Sequence, residues 1–198
     1  MLCTCSPRVA TAARRLSSRS LPARPVYHCD AHRAQRFTAY KDLSVQPTHT
    51  IRKARPSDLP SIYSGELDYI RNIEPEQEAG WKNAIPAHLR QWTSNLDRMF
   101  VVEHEGKVVG YCFWQTDDQK AVLASIYVAT EQRRHGLGTR LFDKFVEDAS
   151  AHGHTHLIVN VHINNPARAL YEAAGFQRVR DRADYLDYEY IRAQDQAV

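Results

Sequence analysis

The chain lacks any apolar run near the ~20 residues that a membrane-spanning helix needs, so no membrane partner is expected. Cysteine is scarce: four in 198 residues, with Cys3, Cys5 and Cys29 towards the amino terminus and Cys112 in an apolar stretch. No Cys-x-x-Cys pair occurs and the spacing supports no disulfide framework, which points to a reducing compartment, the cytoplasm. Cys3-x-Cys5 has a spacing that suits a soft metal, but two thiols in an unordered tail is the simpler reading. No acid precedes Asp30, and Met99 is the sole methionine besides Met1.

Charge is unevenly spread. Residues 1–47 hold eight Lys and Arg against Asp30 and Asp42, a balance of +6, while the whole chain carries +3. The remainder is therefore mildly acidic, at −3, and the basic pI is no argument for a nucleic-acid partner. An acidic domain is compatible with a cationic, amine-bearing substrate. Residues 1–47 bury too little apolar surface to order themselves, and read as a disordered or spurious basic extension. Two alternatives stand beside that. Arg- and Ser-rich, acid-poor composition also describes a mitochondrial transit peptide, although Pro7, Pro22 and Pro25 interrupt an amphipathic helix. A misassigned start near Val45 would need a non-Met start codon.

Residues 48–198 read as one domain. Thr50 to Arg55 is a first strand, and a helix follows with Ser57 as N-cap and an apolar stripe of Leu59, Ile62, Tyr63, Leu67 and Ile70. Pro75 and Gly80 break the pattern before a second helix from Pro86 to about Leu96. Between them Glu66, Asp68, Tyr69, Glu74, Glu76, Glu78 and Trp81 form an acidic and aromatic patch. It is expected to be mostly solvated surface, with a substrate-recognition wall as the second reading. Met99–Val102 and Lys107–Trp114 form a hairpin, and Val122–Val128 a further strand. The expected order is β-α-α-β-β-β-α-β-α-β-β.

Histidines invite a metal reading. Glu103-His104-Glu105 lies in a turn and is not a helical His-Glu-x-x-His, while His152, His154 and His156 have no carboxylate or thiolate nearby in sequence. No metal is expected.

The stretch from Leu123 to Leu141 organises the rest. An apolar strand hands over to an amphipathic helix through Arg133-Arg134-His135-Gly136-Leu137-Gly138. The first amides of a helix have no internal partners and carry the positive end of its dipole. Glycines let an anion approach that backbone closely, and the arginines add charge. A phosphate or pyrophosphate is the expected occupant. No Gly-Lys-Ser/Thr follows, so this is no P-loop, and the third glycine of a dinucleotide fingerprint is missing.

Arg-x-x-Gly-x-Gly between strand and helix resembles the acyl-CoA pyrophosphate loop of the GCN5-related N-acetyltransferase (GNAT) superfamily. Asn164-Asn165-Pro166-Ala167-Arg168-Ala169-Leu170-Tyr171-Glu172-Ala173-Ala174-Gly175-Phe176 is similar to the second signature of that family, and the resemblance covers residues 50–191. It implies an α+β, three-layer α/β/α fold: a mixed, mostly antiparallel sheet of six to seven strands with two splayed parallel central strands, and about four helices. It further implies that Ile126, Tyr127 and Val128 offer backbone groups to the pantetheine arm of acetyl-CoA. Arg133, Arg134, His135, Gly136, Leu137, Gly138 and Thr139 would take the pyrophosphate. Asn164 would contact the CoA arm, Asn165 would cap the following helix, and Tyr171 would support the departing thiolate.

The resemblance implies an N-acetyltransferase acting on a primary amine, of a small molecule or of a peptide or protein, in a monomer or a homodimer. The alternative is an acyl-CoA-binding module with little turnover. An amine of pKa ~10.4 is neutral in only about one molecule in 2,500 at pH 7, so a base or water relay is wanted. Family members often carry a glutamate on one splayed strand. Residues 121–129 contain no acid, and the position twelve before Tyr171, acidic in ribosomal-protein acetyltransferases, is Val159. Glu103, His162 or a water held by the acidic patch are the substitutes.

Overall fold

The computed structural model describes residues 49–191. The readings made of residues 1–47, Cys3-x-Cys5 and the transit peptide among them, fall outside that range. Seven strands form one sheet: β1 (Thr50–Lys53), β2 (Met99–His104), β3 (Lys107–Asp117), β4 (Lys120–Val128), β5 (His156–His162), β6 (Gln177–Arg182) and β7 (Tyr185–Ile191). Their order is β1-β2-β3-β4-β5-β7-β6, and every neighbouring pair is antiparallel except β4 and β5. The β2–β3 hairpin turns on Glu105 and Gly106, at φ 49° and 75°, the paired positive φ that matches the strands' twist.

Side chains alternate across this sheet and build a core on each face. Phe100, Val102, Cys112 and Trp114 point to one face, where α4 (Leu137–Ala151) lays down Leu137, Leu141, Phe142, Phe145 and Ala149. Met99, Val101, Tyr111 and Phe113 point to the other, beneath α1 (Leu59–Ile73), α2 (Glu78–Asn83) and α3 (Ile85–Ser94). A short α5 (Arg168–Ala173) joins the α4 side through Tyr171. The result is the three-layer α/β/α arrangement with a mixed sheet. No described helix is long and apolar enough to cross a membrane.

Local details differ from expectation. There are five α-helices among the described residues, because Gly80 lies inside α2 instead of ending a helix. Trp81 drives that: its buried ring packs 5.5 Å from Tyr63 and 5.4 Å from His88, and tertiary packing outweighs the glycine's poor propensity. Ser57 is exposed and caps nothing. Asp58 instead closes the turn, accepting the Arg55 N–H at 2.8 Å and a two-pronged contact from Arg52 at 2.7 and 3.1 Å. Asn165 Oδ1 accepts the Ala167 N–H at 2.9 Å, but α5 begins only at Arg168, so Pro166 precedes the helix.

Candidate active site

The glycine loop is shaped to present amides. After β4 a single turn, Thr130–Gln132, leads to Arg133. Arg134 and Gly136 then take positive φ, 70° and 72°, and Gly136 stands at the start of α4 with no side chain capping the helix. The first intrahelical bond is Arg140 N–H to Gly136 O, so the amides of Leu137, Gly138 and Thr139 have no partner within the helix. Gly136, Leu137, Gly138 and Thr139 line a cavity of about 790 Å³, together with Ile126, Tyr127, Val128, Arg133, Arg134 and Asn164. His135 is the one expected loop residue outside this wall; its exposed ring stacks 6.3 Å from His49.

Pairing between β4 and β5 ends short of this cavity. The parallel register runs from Ala121 opposite Leu157 to Leu123 opposite Val159 and stops. A bulge opposite Phe113 and Trp114 leaves Ala124 out of the β3–β4 register at that point, and bulges bend the strand that carries them. From Ala124 onward β4 leaves β5, and among the described residues its backbone on that side has no strand partner.

Tyr127 is fixed from three directions. Its ring stacks 5.6 Å from Tyr111, its hydroxyl donates to Asp68 of α1 at 2.9 Å, and the Arg133 guanidinium lies 5.9 Å from its centroid. Burial and the Asp68 carboxylate push the phenol well above its ordinary pKa. Arg133 also donates from Nε to the Val128 carbonyl at 2.8 Å.

A second cavity, of about 570 Å³, continues along the same strand: Val122, Leu123, Ala124 and Ser125 line it, where residues 126–128 line the first. Helix α1 walls both, presenting Glu66 and Ile70, with Glu74 just past its end, to the second and Asp68, Tyr69, Asn72 and Ile73 to the first. The two sets follow helical spacing on adjacent faces. Trp81 of α2, His88 and Trp92 of α3, Asn160 of β5 and Tyr185 of β7 complete the second wall. The acidic patch is thus mostly not solvated surface, since Glu66, Tyr69, Glu74 and Trp81 are all buried. Sequence reasoning singled out the patch without separating the buried Glu66 and Glu74 from the exposed Glu76 and the half-buried Glu78.

Glu74 accepts the Tyr69 hydroxyl at 2.8 Å on Oε1 and the Tyr185 hydroxyl on Oε2. Glu66 is 4% exposed; burial lifts its carboxyl above the ordinary range, opposed by the adjacent Ser125 and Tyr111. Burial is the largest cause lowering His88, favouring its neutral form.

The other expected residues are dispersed. Tyr171 is fully buried, its ring 5.3 Å from Phe142 and 6.2 Å from Tyr188, while its helix neighbours Ala167 and Leu170 line the first cavity. His162 accepts the Asn164 N–H on Nδ1 at 3.2 Å and meets Tyr185 edge-on. Glu103 lines neither cavity and is paired with Arg52 at 2.7 Å. Among the described residues no group of three or more His, Cys, Asp or Glu could hold a metal ion.

Residues 66–176 match the acetyltransferase (GNAT) family. Over 83 residues the chain is 40% identical to the mycothiol acetyltransferase of Thermobifida fusca (strain YX), a stretch covering 41% of this chain and 25% of that protein. The PaiA N-acetyltransferase of Thermoplasma acidophilum, in complex with coenzyme A, superposes with a TM-score of 0.59 at 18% identity, over 73% of this chain and 99% of that one. YncA of Salmonella typhimurium, with its cofactor acetyl-CoA, gives 0.55 at 20% identity, over 76% of this chain and 98% of that one. At these identities the structural likeness is one of fold.

Proposed function

The chain belongs to the acetyltransferase (GNAT) family, and we propose that it transfers an acetyl group from acetyl-CoA to a primary amine by direct attack within a ternary complex. The observation that carries this reading is the parting of β4 from β5 after Leu123 and Val159, at one end of a cavity whose other end is an uncapped helix N-terminus. The unpartnered edge of Ile126–Val128 suits an extended pantetheine arm, and the amides of Leu137, Gly138 and Thr139 suit a pyrophosphate. Arg133 and Arg134 add charge at the cavity rim, and Asn164 lies on the same wall. The thioester then lies where the two cavities adjoin along β4. Amides on the freed strand edge would stabilise the oxyanion formed when the carbonyl is attacked.

The acceptor enters from the second cavity. Its wall combines two carboxylates with tryptophan, tyrosine and imidazole rings and has no lysine or arginine, which supports a small amine arriving as a cation. An acyl-enzyme has no support: β4 and β5 carry no cysteine, and Cys112 lies buried with its thiol on the Leu141 carbonyl, its pKa raised by burial. Thiol release from acetyl-CoA, followed over a panel of small amines and amino-terminal peptides beside a calorimetric acetyl-CoA titration, tests the reading. Binding with release on at least one amine supports it. Binding without release from any acceptor supports the sensor alternative, and absence of binding removes both.

A further inference from the structure

The two cavity carboxylates are not equivalent. Both oxygens of Glu74 are engaged by phenols from Tyr69 and Tyr185. The Glu66 carboxyl is enclosed by protein beside the Ser125 and Tyr111 hydroxyls, which favour its charged form, and among the described residues it has no ion-pair partner. A buried carboxylate with no counter-ion is costly as an anion, and a cation brought beside it relieves that cost. Glu66 faces the strand at Ser125, one residue before the cofactor cavity begins at Ile126. It therefore stands beside the point where β4 turns away from β5.

Resting on the acetyl-transfer reading above, we propose that Glu66, reaching the cleft from α1, takes the proton of the acceptor's ammonium. Neither β4 nor β5 carries an acid for that task. The ammonium N–H bond breaks towards the Glu66 carboxylate, and the freed lone pair attacks the thioester carbonyl carbon. When the tetrahedral adduct collapses, the C–S electron pair leaves with sulfur. The thiolate takes a second proton from the former amine nitrogen, giving an amide and free CoA, and Glu66 returns its proton to water. A carboxyl held above its ordinary range by burial is better matched to this transfer near neutral pH than a solvated one. Groups that would tune it are Tyr111 of β3, Ser125 of β4, Tyr69 of α1, Glu74 just past the end of α1, His88 of α3 and Tyr185 of β7.

The test is Glu66→Gln in the full chain, assayed on whichever amine the wild type turns over. At pH 7 the variant should lose about 10²–10⁴-fold in turnover while its acetyl-CoA Kd stays the same. Its rate should climb with pH as the amine deprotonates in solution, where the wild type levels off. Glu66→Asp should recover part of the rate. Thermal melts give a readout apart from catalysis: a neutral amide removes the buried charge, so the variant should melt no lower than wild type at pH 7. A rate equal to wild type, or a loss matched by weaker acetyl-CoA binding and a lower Tm, would overturn the proposal. If the wild type itself releases no CoA, it is the acetyl-transfer reading that fails.

Discussion

Gly65 stands against the ring of Tyr111 so closely that a Cβ at that position would come within 2.7 Å of Cε1. The neighbouring Tyr127 ring would be 2.8 Å away, and the two rings stack on each other, so neither has room to give. This close approach seats α1 on β3 and β4 and brings Glu66, the next residue, down to Ser125. Gly65→Ala should lift α1, destabilising the fold by about 1–3 kcal/mol through overpacking. It should also lower turnover on the amine by more than it weakens acetyl-CoA binding. Chemical denaturation paired with steady-state kinetics checks both.

Gly138, in the first turn of α4, has open surroundings: the nearest atom to an added Cβ is Leu170 Cδ2 at 4.0 Å. Alanine suits a helix better than glycine by up to about 1 kcal/mol, so Gly138→Ala should hold or raise the Tm. The same methyl group would occupy the space through which a pyrophosphate approaches the helix amides. Acetyl-CoA affinity should fall about tenfold or more, measured by calorimetry.

Tyr171→Phe tests the phenol proposed to support the thiolate. The ring keeps its packing on Phe142 and Tyr188, so stability should fall by only about 1 kcal/mol. Turnover is expected to drop roughly 10²–10⁴-fold with the acetyl-CoA Kd unchanged. A rate within twofold of wild type would make Tyr171 a core aromatic and nothing more.

The Arg52–Asp58 contact makes a pH-dependent contribution. Arg52 holds the largely buried Asp58 carboxyl below its ordinary range, outweighing burial, and also bonds Glu103. A lowered folded-state pKa means that the stabilisation is complete above the unfolded value, ~3.9, and is lost as pH falls through the folded one. Arg52→Ala should therefore cost about 1–2 kcal/mol at pH 7, with the gap to wild type closing below about pH 3.9. Urea midpoints compared at pH 7 and in acid would show it.

Much of this was legible because it is local. The strand–glycine loop–helix passage depends on residues adjacent in sequence, and Gly136 takes the positive φ that such a loop needs. The period-2 runs of β2 and β3 and the apolar stripe of α4 likewise state which faces are covered. Helix α2 was obscured because Gly80 and Pro75 are local breakers, whereas its existence depends on Trp81 meeting Tyr63 and His88 from other segments. The shift from Ser57 to Asp58 has the same origin, since Arg52 approaches from β1. Glu66 was hidden twice over. It is a charged residue inside an amphipathic helix, which ordinarily signals solvent. An acid on α1 also leaves no trace in the strand sequences, although it packs against them.

The sequence by itself determined the order of the strands, the family and the strand–glycine loop–helix passage, because backbone conformation, side-chain periodicity and helix-end chemistry are set by near neighbours. Only the tertiary structure decided which of several similar acids is buried at the cleft and which is solvated. That choice depends on how closely α1 can approach the sheet, and a missing Cβ at Gly65 against the Tyr111 ring sets the distance.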